Sequence, residues 1–139
     1  MENLAADLDD RLAALWQVLA RRGKRELNRT AASVLATLRD RGPRRITELA
    51  ESEAIAQPTA TTLVGRLERD GLVQRAPDPD DARAVRVHLT NAGLERLAER
   101  RAARAALLEA RLERLTDDER AALTAALPAL DKLTEGNDV

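Results

Sequence analysis

The sequence predicts a mainly α-helical chain with one small β-hairpin, and three observations carry that prediction. Leucine, valine and alanine recur at steps of three and four through most of the 139 residues, the spacing of helices with one apolar stripe. Trp16 is the one aromatic residue, so Leu, Val and Ala must build the core, which favours close-packed helices. One stretch departs from the helical period. "LVQRA" and "AVRVHLT" read as two strands, the second alternating Val85, Val87 and Leu89 with Arg86 and His88.

The elements follow in order. Leu4, Leu8, Leu12, Leu15 and Leu19 mark a first helix, with Gly23 as its expected stop. "TAASVLATLRDRGP" is a second, with Thr30 as the expected cap, Val34, Leu35 and Leu38 inward, and Gly42-Pro43 as terminator. "ITELAESEAI" is a short third helix. "QPTATTLVGRLERDG" is a fourth, with Pro58 near its start, where a missing N–H does no harm, and Gly71 at its end. Ala60, Leu63, Val64 and Leu67 form its inward stripe. The two strands come next, joined by residues 77–83. Thr90 is placed to cap a long helix reaching about Leu115. Thr116 and Glu119 have the spacing of a capping box for a last helix, which carries Leu123, Leu127, Leu130 and Leu133 on one side. Pro128 should bend that helix or cost it a hydrogen bond. Three helices followed by a two-stranded wing form a winged helix-turn-helix, a DNA-binding arrangement.

Composition narrows the function. A net charge of -1 with 34% charged residues gives no global basic signal, so any nucleic-acid footprint must be local. The absence of cysteine excludes disulfides, thiol redox sensing and thiolate-bound metals, and no cofactor is expected. The acidic start "MENLAADLDD" carries no secretory pattern, and no apolar run approaches the roughly 20 residues of a membrane span, so a cytoplasmic location is expected. Ser33 has no base nearby in sequence, and His88 lacks an acidic or histidine partner at useful spacing. With no nucleophile–base pair and no phosphate loop, the chain does not read as an enzyme.

The residues that can carry function lie on the fourth helix and the hairpin. Opposite the inward stripe stand Thr59, Thr62 and Arg66, flanked by Gln57 and Thr61. These are short hydrogen-bonding groups and one arginine, able to enter a major groove closely and address base edges or phosphates. The turn "DPDDAR" crowds carboxylates around Arg83. A surface pair with Asp81 would be worth only about 0–1 kcal/mol, a poor reason for such a turn. An arginine oriented by Asp81 and inserted into a narrow, electronegative minor groove is a better one.

Together these residues resemble the multiple-antibiotic-resistance regulator (MarR) family of winged-helix repressors. The resemblance lies in the Q-P-T helix start, the L-E-x-x-G-L-V junction, D-P-x-D-x-R in the wing, and V-x-L-T-x-x-G after it, from Leu49 to Gly93. It implies that Arg83 is the wing-tip arginine with Asp81 as its partner, and that Thr59 and Thr62 contact DNA; Gln57 and Arg66 carry over less directly. Double-stranded DNA is then the partner. The family pattern also implies a small lipophilic or phenolic effector, and the lack of cysteine and the single histidine set aside the peroxide- and zinc-sensing versions. One departure stands out. The family has Ser or Thr before Gln57 and this chain has Ala56, a loss of about 0.5–2 kcal/mol unless another group satisfies the first N–H groups.

The outer helices extend the chain beyond a winged-helix domain. The stripe Leu94, Ala98, Ala102, Ala105, Leu108 and Leu112 has small residues at its middle, which permits close helix approach. With Leu8, Leu12, Leu123, Leu127 and Leu130 it forms the expected homodimer surface. Residues 1–29 are then an N-terminal dimerisation helix, 30–89 the DNA-binding region, and 90–139 the C-terminal dimerisation helices. Trp16, beside the first helix's stripe, is expected to pack rather than bind ligand. The rival reading is a winged-helix protein-interaction module that no longer binds DNA.

Overall fold

A computed structural model describes residues 3–20 and 27–136. The elements are α1 (Leu4–Ala20), α2 (Arg29–Arg41), β1 (Arg44–Arg45), α3 (Ile46–Ser52), α4 (Gln57–Arg69), β2 (Val73–Pro77), β3 (Val85–Leu89), α5 (Asn91–Leu112) and α6 (Asp117–Thr134). They form two compact units, one of residues 20–102 and one of residues 1–19 with 103–139.

In the first unit each helix end is set by local chemistry. Asn28, not Thr30, caps α2: its Oδ1 accepts from the Ala31 N–H at 2.8 Å, and Thr30 lies inside the first turn. An asparagine three residues before the donating N–H suits this geometry, and Thr30, already inside the helix, does not. Helix α3 ends at Ser52, short of the expected Ile55. There Ala54 takes a left-handed φ of 53°, and the N–H groups of Ala54 and Ile55 bond back to Glu51 and Ala50. The same closure ends α4, where Gly71 has φ 76° and the Gly71 and Leu72 N–H groups reach Glu68 and Leu67. Both ends are Schellman closures, one with the usual glycine and one with an alanine in its place.

These helices bury one face each. Val34, Leu35 and Leu38 of α2, Leu49 of α3, Val64 and Leu67 of α4, and Leu97 of α5 meet Leu72, Val73 and Val87 in a single core. Leu63, expected inward, is partly buried and packs against its edge. Burying each such side chain contributes about 1.5–3 kcal/mol, so α4 is held through its inner stripe and its outer face is left for solvent.

The hairpin is part of a three-stranded antiparallel sheet in the order β1-β3-β2. Val73 pairs with Leu89 and Pro77 with Val85, while Arg44 and Arg45 pair with Val87 and Arg86. Strand β1 is two arginines after Gly-Pro, with no alternation to announce it. Thr90 joins sheet to helix. Its Oγ1 donates to the Gly71 carbonyl at 2.6 Å and accepts the Gly93 N–H at 3.1 Å, the cap the sequence implied.

The second unit holds α1, the C-terminal part of α5 from Ala103, and α6. Asn3 accepts from the Ala6 N–H to start α1. Gly23 lies outside the described residues. Thr116 and Glu119 form the expected capping box, at 3.0 and 3.2 Å. Helix α5 ends at Leu112, three residues earlier than expected. Helix α6 continues through Pro128, whose missing N–H removes one intrahelical bond without ending the helix. No described residue of α1 or α6 is buried.

Candidate nucleic-acid interface

Helix α4 presents Gln57, Thr59, Thr61, Thr62 and Arg66, all exposed, opposite the buried Ala60, Val64 and Leu67. The Thr61 and Thr62 hydroxyls each donate to a backbone carbonyl one turn back, Gln57 and Pro58, at 3.0 Å. With the hydroxyl protons used in this way, each oxygen keeps acceptor capacity, suited to base amino groups. Ala56 makes no side-chain cap. Pro58 reduces the deficit by having no N–H to satisfy, so the helix start remains regular. At the other end, Glu68 accepts the Arg75 N–H at 3.1 Å and lies 3.6 Å from the Arg75 guanidinium, tying α4 to β2. Beside α4 an open recess of about 440 Å³ is lined by Ile55, Pro58 and Leu63 with Thr59, Thr62 and Arg66.

The wing is built on Asp78. Its side chain is fully buried and accepts three hydrogen bonds: Asp80 N–H at 2.8 Å, Arg45 Nε at 2.9 Å and Arg86 Nε at 3.1 Å. The Asp80 backbone bond, with the two guanidinium bonds, outweighs burial and holds the carboxyl at about 2, below its usual 3.8. The Asp78 N–H bonds the Ala84 carbonyl and the Ala84 N–H bonds that of Asp81, closing the turn. Sequence reasoning missed Asp78 as a site residue. Its Asp-Pro context signalled a turn, but its partners Arg45 and Arg86 are 33 and 8 residues away.

Arg83 is exposed in the turn, as expected for an inserting side chain. The expected role of Asp81 changes. Its Oδ1 accepts the backbone N–H of Arg83 at 2.9 Å, and among the described residues no ion pair or hydrogen bond holds the Arg83 guanidinium. Asp81 shapes the turn; it does not grip the charge. A carboxylate two residues before an N–H closes an Asx-turn more readily than it reaches a long side chain bending back.

Other singled-out residues fall outside this surface. His88 is half-buried on β3 opposite Gln74. The Ser33 hydroxyl donates to Glu53 at 2.8 Å, linking α2 to the turn after α3. Trp16 is partly buried on α1. Of the residues expected at a dimer surface, Leu12, Leu94, Leu112, Leu123, Leu127 and Leu130 are exposed by 37–56%. Ala105 is exposed too, and Leu8 and Leu108 are intermediate. Among the described residues no cluster of three metal-ligating side chains assembles, and no helix is long and apolar enough to cross a membrane.

Residues 27–85 match the profile of the MarR family. The HTH-type transcriptional regulator YsmB of Bacillus subtilis is 32% identical over 99 residues, 68% of this chain and 67% of that protein. The HTH-type transcriptional repressor NicR of Pseudomonas putida is 46% identical over 59 residues, 42% of this chain and 37% of its own length. The chain spans less than half the length of most of the curated relatives it matches. In fold it is similar to wild-type MarR from E. coli in its apo form, with a TM-score of 0.73 and 23% identity over 94% of this chain and 98% of that one.

Proposed function

The chain belongs to the MarR family of winged-helix transcriptional regulators, and on that premise we propose that it binds a palindromic operator as a homodimer and represses transcription. The observation that carries this is the outer face of α4. Its inner stripe is locked in the core, and its outer face offers Gln57, Thr59, Thr62 and Arg66 with no carboxylate between residues 57 and 66. Phosphates would repel such carboxylates; short acceptors and one arginine suit base edges. Arg83, exposed in the turn and without a partner among the described residues, supplies a cation for the adjacent minor groove.

Two further readings attach to the same premise. The leucines of α1, α5 and α6 that stay exposed in one chain are covered by a second copy, which places two recognition helices on successive major grooves about one turn apart. A small lipophilic or phenolic anion acts as effector by entering the recess beside α4, where Ile55, Pro58 and Leu63 give apolar walls and Arg66 a positive rim. The name of NicR as a repressor supports the direction of regulation.

The test is fluorescence anisotropy on a duplex recovered by selection with the purified protein. Arg83→Ala weakens binding most on sites with A·T-rich flanks, where the groove is narrow, and leaves folding intact. Thr62→Ala changes which half-site bases are preferred, because base contacts specify and backbone contacts position. An Arg83→Ala protein that binds every duplex like the parent refutes the insertion. Titration with phenolic acids lowers the parent's affinity for the duplex, and the thermal shift that the same acids give the DNA-free protein is lost in Arg66→Ala if the recess holds the effector.

A further inference from the structure

Asp78 is costly as a structural device. A buried carboxylate bridging two guanidinium groups contributes little net stability compared with apolar packing, because desolvation cancels most of the attraction. What the arrangement does achieve is orientation. Arg45 and Arg86 are cross-strand partners, and both offer Nε to the same oxygen of Asp78, at 2.9 and 3.1 Å. Holding each guanidinium by Nε fixes its plane and turns its terminal nitrogens outward. The Arg45 and Arg86 side chains are 41% and 32% exposed. Arg86 spends part of its outer edge on Asp80, 3.7 Å away. Among the described residues no second bond is formed by the terminal nitrogens of Arg45. Asp78 and the exposed Asp80 balance the two guanidinium charges, so the cluster offers directed N–H donors rather than an excess of positive charge.

Its place in the fold is as telling as its charge. Arg45 directly precedes α3, the first helix of the helix-turn-helix, and Asp78 begins the turn that carries Arg83. The cluster therefore sits at the base of the wing and at the start of α3. On a duplex, the structure between a major groove and the next minor groove is a ridge of phosphates. We propose that Asp78 sets Arg45 and Arg86 as a clamp for the DNA sugar-phosphate backbone, with Arg45 as the principal phosphate ligand. This rests on the DNA-binding reading and adds a backbone contact to it. Such a contact fixes the register of α4 and the wing and carries no base information. Asp78 is a positioning residue, acting through Arg45.

A phosphate contact has a readout that a structural staple lacks. Each neutralised phosphate contributes about 0.9 to the slope of log affinity against log salt. Arg45→Gln in a dimer should lower that slope by about 1.8. Between 50 and 200 mM salt the parent should then lose about 12-fold more affinity than the variant. Base preference in the half-sites should not change. Arg45→Lys, which keeps the charge, should retain most of the slope. Asp78→Asn should weaken binding in the parent, and by clearly less in the Arg45→Gln background, because the two act as one unit. Anisotropy titrations at four salt concentrations on the selected duplex and on a scrambled duplex measure all of these. An unchanged slope in Arg45→Gln, or additive losses in the double variant, reduces the cluster to a staple for the wing and overturns the clamp. If Arg45→Gln fails to fold by circular dichroism, the Arg45→Lys and Arg86→Gln slopes decide instead. A parent protein that binds neither duplex overturns the DNA-binding reading itself, and the clamp with it.

Discussion

Gly93→Ala exchanges one glycine inside a helix for the best helix former, and the structure requires the exchange to be harmful. Propensity alone favours alanine by about 0.8–1.0 kcal/mol. Packing opposes it. A Cβ on Gly93 would overlap the Leu72 carbonyl oxygen and meet Leu89 Cδ1 at 2.6 Å, about 0.8 Å inside ordinary contact. The leucine methyl can rotate away; the carbonyl is backbone and also accepts the Thr90 N–H at 3.2 Å. Helix α5 must therefore lift off residues 71–72, which strains the Thr90 cap to the Gly93 N–H. Overpacking costs about 1–3 kcal/mol and a weakened cap about 1 kcal/mol. With the propensity gain subtracted, the variant should lose about 2 kcal/mol. For a chain of this size that lowers Tm by roughly 5–10 °C. Thermal melts followed by far-ultraviolet circular dichroism, with parent and variant at one protomer concentration, measure it, since association would otherwise shift the midpoint. A Gly93→Ala protein as stable as the parent refutes the close approach of α5 to Leu72.

Other outcomes follow from the same structure. Ala54→Gly should raise Tm by a few degrees, because removing left-handed strain of about 1–2 kcal/mol outweighs the roughly 0.5–1 kcal/mol entropic cost of glycine; a lower Tm contradicts it. The Asp78 carboxyl, held at about 2 against 3.8, stabilises the wing fully above pH 4 and loses that contribution as pH falls toward 2. Protection of the β2–β3 amides, taken relative to their intrinsic exchange rate at each pH, should therefore fall across that window in the parent, and Asp78→Asn should remove this component of the pH dependence. Leu127→Glu should convert a dimer to a 15.2 kDa monomer in sedimentation at micromolar concentration, by placing an unpaired carboxylate in the covered face. A dimer of unchanged strength would show that α6 is not part of that face.

How much was legible in advance depends on the range of the forces involved. The sequence by itself determined what repeats at short period or closes within a few residues. The stripe of α2, most of that of α4, the position of strand β3 and the Thr116–Glu119 capping box are written in adjacent residues and formed where expected. The alternation within β3 did not: Val85 is exposed and Arg86 half-buried. The outward residues of α4 could be named because a helix with one face buried must expose the other. Tertiary structure alone decided what depends on residues distant in sequence. Strand β1 has no pattern of its own; Arg44 and Arg45 become a strand because β3 offers them a free edge. Gly93 reads as a weak point in a helix until Leu72 is brought against it. Asp81 and Asp78 are similar acids in one acidic turn. One closes the turn through a backbone N–H; the other is buried and gathers two arginines. Local propensity cannot separate them, because hydrogen bonding and desolvation act on the neighbours that folding supplies.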